Sequence, residues 1–195
     1  MIDFEKLRQL YKFGKNLSRH DARELFDSAQ SKTFQKKQII MSQGSMKNEV
    51  FLVKKGLVRQ YCITEQGEDI TFRLIPENFV FANLNLLLFD QPSEYFYEAL
   101  ETTNTYSLNY HSIQKILKRN IKLQANRVFF WQKMVKQMHR RIESFVLLTP
   151  EQRYLKFIKD HPELDQRVPN KYIASVLGIT PVSLSRIRGR IAKPQ

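Results

Sequence analysis

The sequence contains 195 residues, enough for one ordinary domain or two small ones, and has a formal net charge of +13. Residues 1–110 carry 14 basic and 14 acidic side chains, whereas residues 111–195 carry 18 basic and 5 acidic ones. The second part is therefore expected to attract a polyanion, with nucleic acid the first candidate and an anionic membrane surface the second. The alternative is that these charges only form a well-solvated surface. The charged N-terminus and the interrupted apolar stretch at 79–89 argue against export and membrane insertion. The single cysteine, Cys62, excludes an internal disulfide and a four-thiolate metal site. These observations together predict a cytoplasmic protein.

The first part of the chain has the pattern of a small β-domain preceded by helices. Residues 3–30 alternate in helical fashion and are predicted to form small packing helices. From about Lys32 to Tyr110, short β-rich runs such as 50–53 alternate with turn residues, and Gly67 is predicted to lie in a hairpin turn. Regular short strands predict an antiparallel β-roll or jelly roll.

After Tyr110 the hydrophobic period changes from two residues to about three and a half, which is typical of a long helix. Apolar side chains occupy two seam positions of successive heptads, with Gln124 the one polar exception. The seam residues are Ile121, Val128, Trp131, Val135, Met138, Ile142 and Phe145. Because the stripe is narrow, it favours a helix paired with a second copy over one buried within its own chain. The pattern therefore predicts a homodimer.

A capping sequence marks the start of the last predicted domain. Thr149 can cap a new helix, Pro150 suits its first position and Gln152 completes a capping box. The helix is predicted to end near Asp160, because the residue before Pro162 avoids helical geometry. The predicted domains are 1–110, 111–148 and 149–195.

The C-terminal part carries a helix-turn-helix pattern from about Asn170 to Ile191. Such a motif needs apolar residues that hold two helices together and a glycine at the turn between them. Gly178 supplies the turn, and Thr180-Pro181 begins the second helix with a capping hydroxyl and a proline. The inward positions hold Ile173, Ala174, Leu177, Ile179, Leu184 and Ile187. In a basic segment, this pattern predicts a second helix that reads the major groove of double-stranded DNA.

The outward face of this second helix provides the candidate DNA contacts. Arg186 is the strongest candidate base reader, because its guanidinium can donate two hydrogen bonds to guanine O6 and N7. The other candidates for base contact are Ser185, Val182 and Pro181. Candidates for phosphate contacts, which set position without reading sequence, are Asn170, Lys171, Ser183, Arg188, Arg190 and Lys193.

From about Phe34 to the end, the chain resembles the Crp/Fnr family of bacterial regulators. The similarity lies in Gln43-Gly44, the run 50–56, Asn78-Phe79, the long helix and, most specifically, residues 172–188. The resemblance implies an α+β protein with a cyclic-nucleotide-binding-like β-roll, a long dimerisation helix and a winged helix-turn-helix that reads a two-fold-symmetric operator. It also makes RNA polymerase a candidate further partner.

The chain departs from the family pattern at two places. Family members that bind cyclic AMP carry a Gly-Glu pair and later an Arg-Ser or Arg-Thr pair, whereas the corresponding residues here are Phe81-Ala82 and Glu94-Tyr95. No lysine or arginine occurs between Leu74 and Gln114, so a cyclic phosphate bound there would meet carboxylates. We therefore expect no cyclic AMP binding and no other cofactor. Because the chain ends soon after the second helix, we expect an all-α C-terminal domain without a full wing.

Two other classes of function compete with this interpretation. An enzyme or metal-binding jelly roll is disfavoured, because it would need clustered imidazole or carboxylate ligands. None of the four histidines, His20, His111, His139 and His161, lies between residues 32 and 110. A ligand-sensing module that signals to an acidic protein partner without specific DNA binding is the second alternative. The effector, the operator, the regulated genes and the direction of regulation stay open.

Overall fold

The computed structural model describes residues 18–119 and 121–192, apart from the side chains at 21–22, 26, 121–127, 129–130 and 133. The chain divides into two compact units. The first unit contains Met1–Val58 and Ile75–Val135, and the second contains Arg59–Leu74 and Lys136–Gln195. The hairpin 59–74 thus belongs to the same unit as residues 136–195. This division does not test the domain boundaries predicted at 110 and 148, which stay predictions.

Between residues 18 and 109, the described elements are a helix, a series of short strands and one short helix among them. In chain order they are α1 (Arg19–Asp27), β1 (Gln30–Phe34), β2 (Ile39–Met41), β3 (Glu49–Lys55), β4 (Val58–Ile63), β5 (Asp69–Ile75), β6 (Val80–Ala82), α2 (Leu84–Phe89), β7 (Phe96–Ala99) and β8 (Thr103–Asn109). One sheet has the order β1-β8-β3-β6 with antiparallel pairs; in the other, β2 pairs with β7 and β4 with β5. The predicted β-roll is confirmed.

Aromatic side chains fill the interior of the roll. Phe51 of β3 lies opposite Phe81 of β6, and their rings stack at a centroid distance of 4.9 Å. Phe81 also stacks on Tyr97 of β7 at 5.2 Å, and the Tyr97 hydroxyl donates a hydrogen bond to the carbonyl of Ala82. All four residues are buried. Because alternate residues of a strand face the same side of its sheet, the apolar positions of these strands converge in one core.

The remaining elements of the described chain are helical. They are α3 (Tyr110–Arg119), α4 (Ile121–Leu147), α5 (Pro150–Asp160), α6 (Leu164–Arg167), α7 (Asn170–Leu177) and α8 (Pro181–Ile191). Helix α4 is continuous over 27 residues and contains every predicted seam position from Ile121 to Phe145. The predicted long helix is therefore confirmed. Among the helices of the described residues, none is sufficiently long and apolar to span a bilayer.

Local turn and cap signals lie where the sequence predicts them. Gly67 has φ +81° in the β4–β5 turn, where the Thr64 N–H donates to the carbonyl of Glu68. At the start of α5 the Thr149 hydroxyl accepts from the Gln152 N–H, and the Gln152 side chain accepts from the Thr149 N–H. The predicted capping box is therefore confirmed, and it fixes where the last group of helices begins.

Candidate nucleic-acid interface

The turn between α7 and α8 has the geometry of a helix-turn-helix. Gly178 is in the left-handed conformation, with φ +64° and ψ +41°. Its N–H donates to the carbonyl of Ser175 at 3.0 Å, and the next N–H, of Ile179, donates to the carbonyl of Ala174 at 3.0 Å. These bonds satisfy carbonyls at the end of α7 while the chain reverses direction. The glycine predicted at the turn is confirmed.

The core between the two helices consists of the apolar residues that the spacing predicts. Five of the six predicted inward residues are buried and the sixth, Ile179, is half-buried. The buried five are Ile173, Ala174, Leu177, Leu184 and Ile187. Since these side chains account for the inward positions of α8, the positions between them face outward.

The first turn of α8 is capped by its own side chains. The Thr180 hydroxyl accepts from the Ser183 N–H at 3.1 Å, and the two hydroxyl oxygens lie 2.9 Å apart. Pro181 occupies the first helical turn, where its missing N–H leaves no unmatched donor. The Ser183 hydroxyl is thus engaged at the cap, and this half-buried residue sits at the end of α8 that a groove-reading helix presents to DNA.

The four candidates for base contact lie on the exposed surface of α8. Pro181, Val182, Ser185 and Arg186 are all exposed, and Val182 retains 60% of its accessible area. An exposed valine on a polar helix face can contact a thymine methyl group, and the Arg186 guanidinium can reach a guanine. This face therefore offers one apolar and one bidentate polar contact to base edges.

The phosphate-contact candidates differ in how strongly they are held within the protein. Lys171 is exposed, with its ammonium 4.9 Å from the centre of the Tyr172 ring. Arg190 pairs with Glu151 at 2.7 Å, and its side chain is 62% exposed. Such a surface ion pair contributes little to stability, so Arg190 can exchange its Glu151 partner for a DNA phosphate. Lys193 lies outside the described residues.

Arg188 is held far more firmly than Arg190. Its Nε donates to the Tyr154 hydroxyl at 3.0 Å, its Nη2 to an Asp165 carboxylate oxygen at 2.5 Å and its Nη1 to the Asn170 side-chain oxygen at 2.5 Å. Burial lowers the pKa of Arg188, but the hydrogen bonds and charges of Asp165 and Tyr154 outweigh it and the pKa is raised. Sequence reasoning missed Tyr154 and Asp165, because no local spacing links them to α8.

Two arginines cap the C-terminal end of α7 and enclose the ring of Phe145. Arg141 donates to the carbonyl of Val176 at 3.3 Å, and Arg153 donates to the carbonyl of Leu177 at 3.0 Å. Their guanidinium groups lie 5.2 and 5.0 Å from the centre of the Phe145 ring. Burial lowers the pKa of Arg141, and the like charge of Arg73 lowers it further. Cations at a helix C-terminus are favourable, so this arrangement stabilises the turn.

The β4–β5 hairpin supports the same helix within the second unit. The Thr71 N–H donates to the Ser175 hydroxyl at 2.8 Å, and that hydroxyl donates back to the Thr71 carbonyl at 3.2 Å. Arg59, only 3% exposed, lies between the rings of Tyr61 and Tyr172 and forms a two-pronged ion pair with Asp69. The contacts of Thr71 with Ser175 and of Arg59 with Tyr172 join residues about a hundred positions apart, and sequence reasoning did not predict them.

The predicted seam of α4 leaves its apolar side chains exposed in the single chain. Val135 retains 60% and Ile142 63% of their accessible area, and Val128, Met138 and Phe145 are also exposed. Trp131 is half-buried, and the side chain of Ile121 lies outside the described residues. Soluble single chains seldom expose contiguous apolar stripes of this kind without a partner.

The segment that corresponds to the nucleotide pocket of the family has an apolar interior. Phe81 and Ala82 are buried, and Phe81 lies stacked between two other rings of the roll. Glu94 is exposed and Glu98 is buried. At the positions that the resemblance assigns to the nucleotide-binding pairs of the family, the structure therefore has a buried aromatic ring and an exposed carboxylate.

Comparisons with known proteins agree with this architecture. Residues 31–120 match the family described as the cyclic nucleotide-binding domain. The global nitrogen regulator of Synechococcus elongatus is 30% identical, over 82% of this chain and 78% of that protein, and the one of Nostoc is 28% identical, over 80% and 76%. The structure of FixK2 from Bradyrhizobium japonicum superposes with a TM-score of 0.71 at 17% identity, covering 84% of each chain. With a roll that matches the cyclic nucleotide-binding domain family, a helix-turn-helix and relatives named global nitrogen regulators, the chain belongs to the Crp/Fnr family of transcription regulators.

Proposed function

We propose that this regulator is a non-enzymatic, cytoplasmic homodimer that binds a two-fold-symmetric DNA operator, and that its β-roll does not bind cyclic AMP. One observation carries the proposal of sequence-specific binding: α8 buries its apolar side in the motif while exposing Arg186 and Val182 on the other. A helix with that division of residues fits the major groove and can distinguish base pairs there.

The charge of the C-terminal part supports affinity for DNA. Residues 111–195 carry 18 basic and 5 acidic side chains. Lysines and arginines that neutralise phosphates release condensed counterions, and this sequence-independent gain adds to any base reading. Exposed Lys171 and Arg190 are the strongest candidates for such contacts.

The exposed seam supports a homodimer. Pairing two copies of α4 would cover Val128, Val135 and Ile142, which are all more than half exposed in the single chain. A two-fold dimer presents two recognition helices, so its half-sites should be centred about one helical turn apart, roughly 34–36 Å. RNA polymerase is the partner through which such a bound dimer would act on transcription.

Two features support the absence of cyclic AMP binding. The ring of Phe81 occupies the core where the family pattern has a glycine, and no arginine or lysine occurs between Leu74 and Gln114 to pair with a cyclic phosphate. Burying that phosphate unpaired would be costly. The roll then binds a ligand of another kind or none.

Selection from a random duplex library tests the proposed function. The full chain, at moderate salt, should enrich a two-fold-symmetric sequence and bind it at least 10³ times more tightly than a scrambled duplex of equal composition, the usual lower range for specific recognition. Uniform weak binding that disappears as salt rises would contradict sequence-specific reading. That result would favour the alternative of a protein-interaction module.

A further inference from the structure

We propose that Arg188 is a positioning residue that sets the rotation of α8 for base reading, and that it does not contact a DNA phosphate. The inference rests on the proposed DNA-binding function and deepens it. It assigns to Arg188 and its partners Tyr154, Asp165 and Asn170, here called the Arg188 cluster, the task of directing Arg186 into the groove.

The Arg188 cluster connects the recognition helix to three other elements of the second unit. Tyr154 lies on α5, Asp165 on α6 and Asn170 at the start of α7. The Tyr154 hydroxyl is 3.1 Å from both carboxylate oxygens of Asp165 and accepts from Arg188 Nε. Burial raises the pKa of Tyr154, and the opposing effect of Arg188 does not overcome it, so the phenol keeps the proton that it donates to Asp165. Every member of the cluster is thus bonded to another.

A two-pronged contact with a phosphate would require Arg188 to give up at least one of these partners, because each edge of its guanidinium already donates to a protein group. Its bond to Asp165 is charge-assisted, and such bonds are about twice as strong as neutral ones. Both side chains of this pair are only 26% exposed, whereas Arg190 and Glu151 are 62% and 40% exposed. Releasing Arg188 would also leave the Asp165 carboxylate without its cationic partner, with only the Tyr154 hydroxyl bonded to it among the described residues. Of the two arginines of α8 that are candidates for phosphate contact, Arg190 and not Arg188 is therefore the one available to DNA.

The position of Arg188 explains what the cluster can control. Successive residues of an α-helix are about 100° apart, so Arg188 projects about 200° from Arg186, on nearly the opposite side of α8. When the face of α8 that carries Arg188 is held in place, the direction of the opposite face, which carries Arg186, is fixed as well. Because a bidentate contact with guanine tolerates little displacement, a small rotation of α8 is enough to lose it.

Removing the negative charge of Asp165 distinguishes the two roles by the sign of the effect. If Arg188 contacted phosphate, Asp165→Asn would free it and strengthen binding to every duplex. If Arg188 positions α8, Asp165→Asn should weaken binding to the selected operator by about 10-fold, the value of one misplaced bidentate base contact. Binding to a scrambled duplex should stay unchanged or rise slightly.

Glu163→Gln is the matched control. It removes one acidic charge two residues away. The Glu163 side chain is 46% exposed and lies 4.0 Å from His161, which is outside the Arg188 cluster. This variant should leave the ratio of operator to scrambled binding unchanged. If Asp165→Asn behaves like Glu163→Gln, the positioning role is refuted.

The salt dependence of binding provides a readout that a loss of stability would not imitate. Arg188→Gln should lower the operator-to-scrambled ratio about 10-fold while leaving the slope of log affinity against log salt unchanged, whereas a phosphate contact would reduce the slope by about one per subunit. Asp165→Asn combined with Arg188→Gln should cost no more than either alone, since both break the same cluster. A reduced slope or additive losses would overturn the proposal.

Two further steps keep the test decisive. The active fraction of each variant is measured by stoichiometric titration with DNA. If Arg188→Gln does not fold, Tyr154→Phe replaces it, because that substitution removes only the hydroxyl of the buried Tyr154. It should lower the same ratio by several-fold with an unchanged slope, and an unchanged ratio would refute the role. Failure of the wild-type chain to select an operator would refute the proposed function itself, whereas equal losses on both duplexes for Asp165→Asn would refute only the positioning role.

Discussion

The ring of Phe145 occupies the space beside Gly178, so that a Cβ at position 178 would lie 2.6 Å from Phe145 Cε1. This contact joins the end of α4 to the turn of the helix-turn-helix. Phe145 is one of the predicted seam residues, and the structure shows that it also packs against the DNA-binding motif. The position therefore requires glycine for two reasons, the left-handed conformation and the close approach of an aromatic ring.

Gly178→Ala should destabilise the second unit by about 1–3 kcal/mol, because alanine is strained at φ +64° and its methyl group would displace Phe145. The free energy of unfolding, measured by urea denaturation, checks this. Gly189→Ala is the matched control, since a Cβ at that helical position meets nothing within 4 Å. It should raise stability by roughly 0.5–1 kcal/mol. Equal effects of the two substitutions would contradict the account of the turn.

Val135→Asp should dissociate the proposed dimer. Pairing of α4 would bury this position without a partner for the carboxylate, at a cost of about 3–5 kcal/mol. Sedimentation velocity at micromolar concentration measures the change. Gln137→Asp introduces the same side chain at an exposed position off the seam and should leave the dimer intact. A monomeric wild type, or a dimeric Val135→Asp variant, would show that the seam does not pair two copies.

Cyclic AMP should not bind the roll at physiological concentration. The interior is filled by stacked Phe51, Phe81 and Tyr97, and Arg59 is already paired with Asp69. Isothermal titration calorimetry with cyclic AMP should give no measurable heat of binding, alongside a cyclic-AMP-binding regulator as positive control. A micromolar dissociation constant would disprove the prediction and would make Arg59 or Arg73 the candidate for the phosphate contact.

Arg186→Ala and Arg190→Ala should separate specificity from affinity. Arg186→Ala should cost about 1–3 kcal/mol on the operator and relax the preference for one guanine in each half-site. Arg190→Ala should weaken binding to all sequences alike and reduce the salt slope by about one per subunit. Fluorescence anisotropy on operator and scrambled duplexes across a salt series measures both. Equal losses on the two duplexes for Arg186→Ala would assign base reading to Ser185 or Val182.

Several features of the fold could be predicted because their causes lie within a few residues. The capping box at Thr149, the left-handed Gly178 and the capped start of α8 at Thr180 depend on neighbours three or four positions away. The hydrophobic period of the seam likewise predicts α4, because its apolar residues recur every three or four positions, about one helical turn apart. Local backbone preference and helical spacing are properties of short segments, and a sequence displays them directly.

The roles of individual arginines could not be predicted in the same way. Arg188 and Arg190 are equal candidates for phosphate contact in the sequence, yet the partners of Arg188 lie 18, 23 and 34 positions away and meet only when α5, α6 and α7 pack around α8. Spacing and composition along the chain indicate a basic helix-turn-helix after a β-roll and a long helix. They do not indicate that Arg188 is bonded within the protein while Arg190 stays exposed, because that difference depends on side chains brought together by helix packing and not by spacing along the chain.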